Sequence, residues 1–187
     1  MVKVGEKVED FQLEALIDNK IRKLKLSSYK AKWVVLLFYP ADFTFVCPTE
    51  LEEAADHYQE LVKLGAEVMS ISTDTVFAHK AWHDQSEAIG KVRYPMLADP
   101  TGRVCRQFGT YIDDEGVSLR ATFIIDPKRV LKAADIHDNS IGRSINEIIR
   151  KLQAAIFVDE HAGKVCPASW QPGQKTLKPG LDLVGKI

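Results

Sequence analysis

Cysteine is scarce in this sequence: three residues in 187, at positions 47, 105 and 166. Three widely spaced thiols cannot staple a small domain. Nor is there a cysteine pair at zinc spacing, and His79 and His83, four apart, have none to join. Surplus charge is lacking too, since 25 Lys and Arg against 26 Asp and Glu leave a net −1. That balance gives no reason to expect a nucleic acid or an anionic membrane as partner. Apolar runs stop well short of the roughly 20 residues of a membrane span. The opening Met1-Val2-Lys3-Val4-Gly5-Glu6 lacks the apolar core of a signal peptide, and there are no internal repeats. A cytoplasmic protein without metal is the expectation. In a reducing compartment, cysteines so few and so dispersed are either inert core residues or redox-active.

Hydrophobic content of 45% and charged content of 27% suit one soluble domain with a substantial core. Phe11–Leu16 and Ile21–Leu26 alternate as half-buried strands do, with the turn residues Asp18-Asn19 between them. Ser27-Ser28-Tyr29 is a turn or short helix. The apolar run from Trp33 to Tyr39 predicts a central strand buried on both faces. Leu51, Ala54, Ala55, Tyr58, Leu61 and Val62 fall on one helical face, which Gly65 is placed to end. Ala66–Ser72 is a second strand, Thr75 to about Ala88 a helix, Pro95–Ala98 a short extended piece and Arg103–Phe108 a short helix. Arg120–Asp126 and Val130–Ile136 make a second hairpin. Ile145, Ile148, Ile149, Leu152 and Ile156 give the buried face of a last long helix. After Asp159, prolines and glycines punctuate a tail that reads as mobile or docked on a neighbour. The order of elements predicts an α/β, thioredoxin-like fold: a mixed central sheet with helices on both faces over residues 1–158, and a C-terminal arm, 159–187. Patterning alone leaves other α/β sandwiches open.

The chain is organised around Phe38–Glu50, between the central strand and the helix that leaves it. Proline suits the first turn of a helix, so Cys47-Pro48 places the thiol at or near a helix N-terminus, where free N–H groups and the dipole favour an anion. An ordinary free thiol is only a few per cent thiolate at neutral pH. Lowering its pKa by about two units takes about 2.7 kcal/mol, and a helix end supplies roughly 0.3–1 kcal/mol. A nearby cation is therefore required, and many arginines are candidates. Val46-Cys47-Pro48 has a counterpart in Val165-Cys166-Pro167 of the tail. Either the two coincide by chance, or a fixed thiol and a delivered thiol form a disulfide cycle.

The pattern Pro40-x-x-x-Thr44-x-x-Cys47, within Phe-Tyr-Pro-Ala-Asp-Phe-Thr-Phe-Val-Cys-Pro-Thr-Glu50, resembles the active-site signature of the peroxiredoxins. Val165-Cys166-Pro167-Ala168-x-Trp170 and the ending Leu-Asp-Leu-Val-Gly-Lys-Ile187 are similar to typical 2-Cys peroxiredoxins of the bacterial alkyl hydroperoxide reductase type. The resemblance implies that Cys47 is the peroxidatic cysteine and Cys166 the resolving one. It implies that Thr44 hydrogen-bonds the peroxide, Pro40 shields the pocket from water and Arg120 is the missing cation. Glu50 and Arg143 match an ion-pair network that lies behind the reacting groups, and Trp82 a tryptophan packed near the active-site loop, although ordinary core is an alternative for Trp82. Cys105 matches no family role and reads as a non-catalytic thiol. The histidines read as surface or packing residues.

By resemblance, the chain reduces hydrogen peroxide and organic hydroperoxides without a cofactor. The Cys47–Cys166 disulfide then joins two subunits of a homodimer, dimers assemble into a decamer, and a flavin-dependent disulfide reductase or thioredoxin-type protein recycles the enzyme. A flexible tail reaching its own Cys47 is an alternative pairing. A plain disulfide reductase is disfavoured because Glu50, not cysteine, stands three after Cys47. A redox sensor or ring-forming chaperone shares every motif as a second role. The Gly-Gly-Leu-Gly insertion and C-terminal Tyr-Phe helix of some eukaryotic relatives are absent from this sequence. Resistance to over-oxidation is therefore expected: low-micromolar peroxide should leave no sulfinic acid on Cys47 after a few turnovers, read by mass spectrometry. Rapid accumulation of sulfinate would contradict this.

Overall fold

A computed structural model describes residues 2–186; Met1 and Ile187, which end two of the segments read above, lie outside the described residues. The first hairpin is β1 (Gln12–Ile17) and β2 (Lys20–Lys25). Asp18 and Asn19 between them both adopt positive φ, 48° and 59°, as a two-residue type I′ turn requires. β3 (Trp33–Phe38) is buried at every position. It leads through a loop into α1 (Cys47–Asp56), α2 (Tyr58–Lys63) and then β4 (Ala66–Ser72), which pairs parallel to β3. α3 (Val76–Gln85) is capped by Thr75, whose hydroxyl accepts from the Ala78 amide. β5 (Met96–Ala98), α4 (Arg103–Phe108), the hairpin β6 (Tyr111–Ile112) and β7 (Val117–Ser118), and the hairpin β8 (Arg120–Ile125) and β9 (Leu131–His137) follow. The last long helix is α5 (Ile145–Glu160).

Seven strands form one sheet in the order β2-β1-β5-β4-β3-β8-β9. β5, β4 and β3 run parallel, and the remaining pairings are antiparallel. Side chains alternate across a strand, so Val34, Leu36 and Phe38 of β3 share one face. They pack there with Val104, Cys105 and Phe108 of α4 and with Phe123 of β8. Phe108 meets Phe38 tilted and Phe123 edge-on, with ring centroids 5.1 and 4.8 Å apart. Two glycines in left-handed conformation, Gly102 and Gly109, bracket α4, and a Cβ at Gly102 would stand 2.3 Å from the Tyr111 ring. Trp33, Val35, Leu37 and Tyr39 take the other face, where Tyr39 meets Trp82 of α3.

The continuous helix expected over Leu51–Val62 is interrupted at His57 (φ −92°, ψ 1°). The break re-phases the apolar face, so Leu61 is buried while Val62 is turned to solvent. The β6–β7 hairpin was not foreseen, because two-residue strands are too short to show a period of two. The chain divides into two compact units, one running to Ile145 and the other from Asn146 onward. Within the second, the tail read as mobile or docked on a neighbour is tied to its own helix. Trp170 is buried, its ring lies 4.9 Å from that of Phe157, and its carbonyl accepts from Arg150 Nη1 at 3.1 Å. A tryptophan recovers enough apolar area to anchor a glycine- and proline-rich segment that has little else to bury.

Phe108→Ala should lower stability by about 3–5 kcal/mol in denaturant unfolding, the usual cost of emptying a buried aromatic site. A loss below about 1 kcal/mol would show that this cluster is not the core on which β3 rests.

Candidate active site

The register of β3 against β8 builds the site. Phe38 is opposite Ala121, so Arg120 stands one step further, level with Tyr39, where β3 passes into the loop that ends at Cys47. Cys47 opens α1, and Pro48 fills its first turn without forfeiting an intrahelical bond. Its thiol is 0% exposed. Arg120 Nη1 donates to Cys47 Sγ at 3.3 Å and to Glu50 Oε2 at 2.8 Å. The backbone of Asn139 fixes the other side of the guanidinium, its carbonyl accepting from Arg120 Nε at 2.9 Å. The Asn139 side-chain oxygen accepts from the Arg120 amide at 3.1 Å.

Glu50 is the hub. Three residues along α1 from Cys47, it lies on the same helical face. Its Oε1 accepts from the Arg143 amide and Nε at 2.8 and 2.9 Å, and its Oε2 accepts from Arg143 Nη2 at 2.9 Å. Arg143 Nη1 donates onward to the Ala121 carbonyl at 2.7 Å, within β8. Glu50, Arg120 and Arg143 are only 2%, 3% and 8% exposed, so this is a desolvated triad of two cations and one anion. Burial alone would raise the Glu50 pKa. The hydrogen bonds and charge of Arg143, with the charge of Arg120, outweigh it and hold the carboxyl below its ordinary value. Beside the sulfur, one guanidinium positive charge is left uncompensated.

The other residues singled out by sequence take these places. Thr44 is half-buried and donates its hydroxyl proton to the Ala41 carbonyl at 2.9 Å, which leaves its oxygen lone pairs to accept from another group. Pro40 is half-buried at the head of the loop. Trp82 is buried, with its ring 6.0 Å from Phe43 of the loop and 6.2 Å from Tyr39. In the second unit, Cys166 is half-buried with Sγ 3.9 Å from the Ala154 carbonyl; burial pushes its pKa up and Arg150 draws it part of the way back. Cys105 is sealed in the core. Burial and the neighbouring Asp99 carboxylate push its pKa up to about 12, which suits an inert thiol. Among the described residues, no group of three His, Cys, Asp or Glu side chains could hold a metal ion. An open polar cavity of about 520 Å³, lined by residues including Asp18, His83 and Arg93, contains none of these site residues.

Two groups near the site escaped the sequence. Asn139 sits in the turn Asp138–Ile141, whose polar residues signal a turn and not a contact with Arg120. His79, read as packing or surface, is fully buried with its Nδ1 2.7 Å from Asp42 Oδ2. Its spacing three before Trp82 gave the only signal, a shared helical face.

The AhpC/TSA family model matches residues 4–134, and the model of the C-terminal domain of 1-Cys peroxiredoxin matches residues 156–184. The chain is 48% identical over 184 residues to alkyl hydroperoxide reductase C of Salmonella typhimurium, covering 98% of each. The crystal structure of Enterococcus faecalis AhpC matches with a TM-score of 0.86 at 45% identity, over 89% of this chain and 100% of that one. The reduced Plasmodium vivax 2-Cys peroxiredoxin matches with a TM-score of 0.92 at 33% identity, over 96% and 94%. The thioredoxin-like fold expected from the order of elements is thus the fold of these structures.

The Glu50 network makes a testable demand. Removing the shared anion leaves two buried guanidinium groups unpaired, so Glu50→Gln should cost about 3–5 kcal/mol at neutral pH. Because the Glu50 pKa is lowered by folding, its contribution is present above the ordinary carboxylate value and is lost as pH falls through the lowered one. Urea unfolding between about pH 7 and pH 3 should show that acid loss in the wild type and a weaker one in Glu50→Gln. An identical pH dependence in the two proteins would remove Glu50 as the hub.

Proposed function

The chain belongs to the AhpC/TSA family and is a peroxiredoxin, a thiol peroxidase; from that premise we propose a two-thiol cycle run by Cys47 and Cys166. The Cys47 thiolate attacks the terminal oxygen of hydrogen peroxide or an organic hydroperoxide. The O–O bond breaks, and the terminal oxygen and its hydrogen pass to sulfur as a sulfenic acid. The leaving oxygen takes up from solvent a proton equivalent to the one Cys47 released on ionising, departing as water or an alcohol. Arg120 holds the thiolate and stabilises the negative charge that shifts onto the leaving oxygen. The Thr44 oxygen accepts the peroxide hydrogen, and Pro40 keeps water from the reacting atoms. The observation that carries this reading is Arg120 Nη1 shared between Cys47 Sγ and Glu50 at 3.3 and 2.8 Å, in a setting closed to water. Glu50 and Arg143 keep that donor in place, and Trp82 supports the loop through Phe43.

In the second half, the Cys166 thiol condenses with the sulfenic acid, releasing water and forming a disulfide between two subunits. Residues 159–187 act as the arm that delivers Cys166, while residues 1–158 form the peroxidase domain. A dithiol protein, either a flavin-dependent disulfide reductase or a thioredoxin-type protein, restores both thiols by exchange. No cofactor enters the cycle. Exposed aromatic side chains support self-association into a homodimer and then a decamer: Phe45 is 93% exposed, and Phe43 and Phe77 are also open to solvent. The work is antioxidant and set in the cytoplasm. Roles as redox sensor or ring-forming chaperone would use the same surfaces and are secondary here.

One equivalent of peroxide followed by a non-reducing gel tests the pairing. Wild type should run as a disulfide-linked dimer, and Cys47→Ser and Cys166→Ser should both run as monomers. Dimer persisting in either variant would contradict the pairing and point to Cys105, and a wild-type monomer with an internal bond would contradict the link between subunits.

A further inference from the structure

Asp42 lies in the loop five residues before Cys47, and the reaction above makes no use of it. Its Oδ2 is 2.7 Å from His79 Nδ1, while Nε2 of the same ring is 3.1 Å from the Leu97 carbonyl of β5. A carboxylate and a carbonyl can only accept, so both ring nitrogens donate and His79 is an imidazolium at 0% exposure. Asp42 Oδ1 also accepts the Tyr39 hydroxyl at 2.7 Å. The Asp42 amide donates to Asp74 Oδ2 at 2.9 Å, and the Ser72 hydroxyl donates to that same oxygen at 2.7 Å. The loop is therefore tied at one residue to the end of β3, to α3 and to the turn after β4. The next residue, Phe43, holds a φ of 55°, a left-handed conformation that a side chain with a Cβ adopts only under constraint. A restraint and the strain it opposes are adjacent in the chain.

We propose that His79 is a positioning residue whose charged ring, clamped on Asp42, holds the Pro40–Val46 loop folded, and whose loss of a proton frees that loop and so shifts oxidised Cys47 from over-oxidation towards disulfide formation. The proposal rests on the two-thiol reading above. With the loop folded, the Cys47 sulfenic acid reacts with a second hydrogen peroxide to give sulfinic acid and water. With the loop open, the sulfenic acid and the Cys166 thiol give the disulfide and water. If the Nε2 proton leaves, a lone pair faces the Leu97 carbonyl. If the Nδ1 proton leaves, a lone pair faces Asp42 Oδ2 at 2.7 Å, and the Tyr39 hydroxyl, 3.5 Å away and already donating to Asp42, is too distant to replace that tie.

The titratable groups facing the ring are Asp42 and Tyr39 from the end of β3 and Asp74 from beyond β4, while β5 presents the Leu97 carbonyl. Burial draws the His79 pKa down, but the hydrogen bond and charge of Asp42, the Leu97 carbonyl and the charge of Asp74 outweigh it and hold it above the ordinary value. A raised histidine stabilises the folded loop fully below the ordinary value and loses that contribution as pH rises through the raised one.

Amide hydrogen exchange of residues 41–50 in the reduced protein, corrected for intrinsic rates, reads the clamp without any peroxide. From about pH 6 to pH 9, wild-type opening should be flat and then rise by up to about tenfold per pH unit. His79→Gln has no titrating proton and should open more at acid pH and show no such step. In the same variant, the peroxide dose that half-converts Cys47 to sulfinic acid should rise about tenfold at acid pH and meet the wild-type value at alkaline pH. If His79→Gln does not fold, Tyr39→Phe carries the test: the Asp42 charge is then shared with fewer donors, and the step should move to higher pH. An exchange profile without a step in the wild type, the same step in His79→Gln, or a step that Tyr39→Phe leaves in place would overturn the proposal even while peroxide is consumed normally. If the step is present but peroxide produces no oxidised form of Cys47, the two-thiol reading falls, and the link from the clamp to over-oxidation falls with it.

Discussion

The structure depends on one guanidinium group. Arg120 lies beside the buried Cys47 sulfur, and a cation in so closed a site must itself be neutralised and oriented. Both demands are met by sharing Nη1 between the Cys47 sulfur and Glu50, by giving Nε to the Asn139 carbonyl, and by bracing Glu50 with Arg143. Much of the fold then has a reason. β8 lies antiparallel beside β3 so that its first residue reaches the point where the loop begins, and α1 starts at Cys47 so that Glu50 falls beneath it. The aromatic cluster of Phe38, Phe108 and Phe123 fixes β3 and β8 against each other on the opposite face of the sheet.

How much of this could be read in advance followed from locality. Pro40, Thr44, Cys47 and Glu50 are close in sequence, so their types and spacing could be read together as one pattern. The elements of the sheet were legible because β3 is a continuous apolar run, β4 carries Val68, Met69 and Ile71 in a short segment ended on its N-terminal side by Gly65, and the Asp18-Asn19 turn has a strong backbone preference. Arg120 was different. Physical chemistry demanded a cation, but only resemblance to a family selected this one, because its placement depends on strand register. Asn139 gives Arg120 a backbone carbonyl that any residue could have supplied and a side-chain oxygen whose target depends on tertiary placement. The buried contact of Asp42 with His79 left only a helical face shared with Trp82 as a trace, since nothing local shows that a histidine on α3 has lost all contact with water. The break at His57 and the anchoring of the tail by Trp170 are likewise outcomes of tertiary packing overriding local pattern.

The two-thiol cycle proposed above sets the loop before Cys47 two opposed needs. In it the sulfur meets peroxide while closed in beside Arg120, and it comes out to pair with a second thiol. Short polar ties can serve both needs better than an apolar plug, because a hydrogen bond is lost and remade without a cavity to refill. Phe43 in its left-handed conformation and the polar ties at Asp42 are neighbours in that loop. Phe45, almost fully exposed a short way along, adds no burial to hold it closed.

The central claim is that Arg120 does chemistry as well as hold structure. Single-turnover oxidation of Cys47 by hydrogen peroxide, followed by rapid mixing for wild type and Arg120→Lys, tests it most directly. A lysine keeps the charge but cannot serve the sulfur, Glu50 and the Asn139 carbonyl from one rigid fork. The account predicts that the second-order rate constant falls by about 10²–10³-fold, the cost of losing a preorganised donor to a developing oxyanion. A folded Arg120→Lys protein that reacts within about threefold of wild type would contradict it.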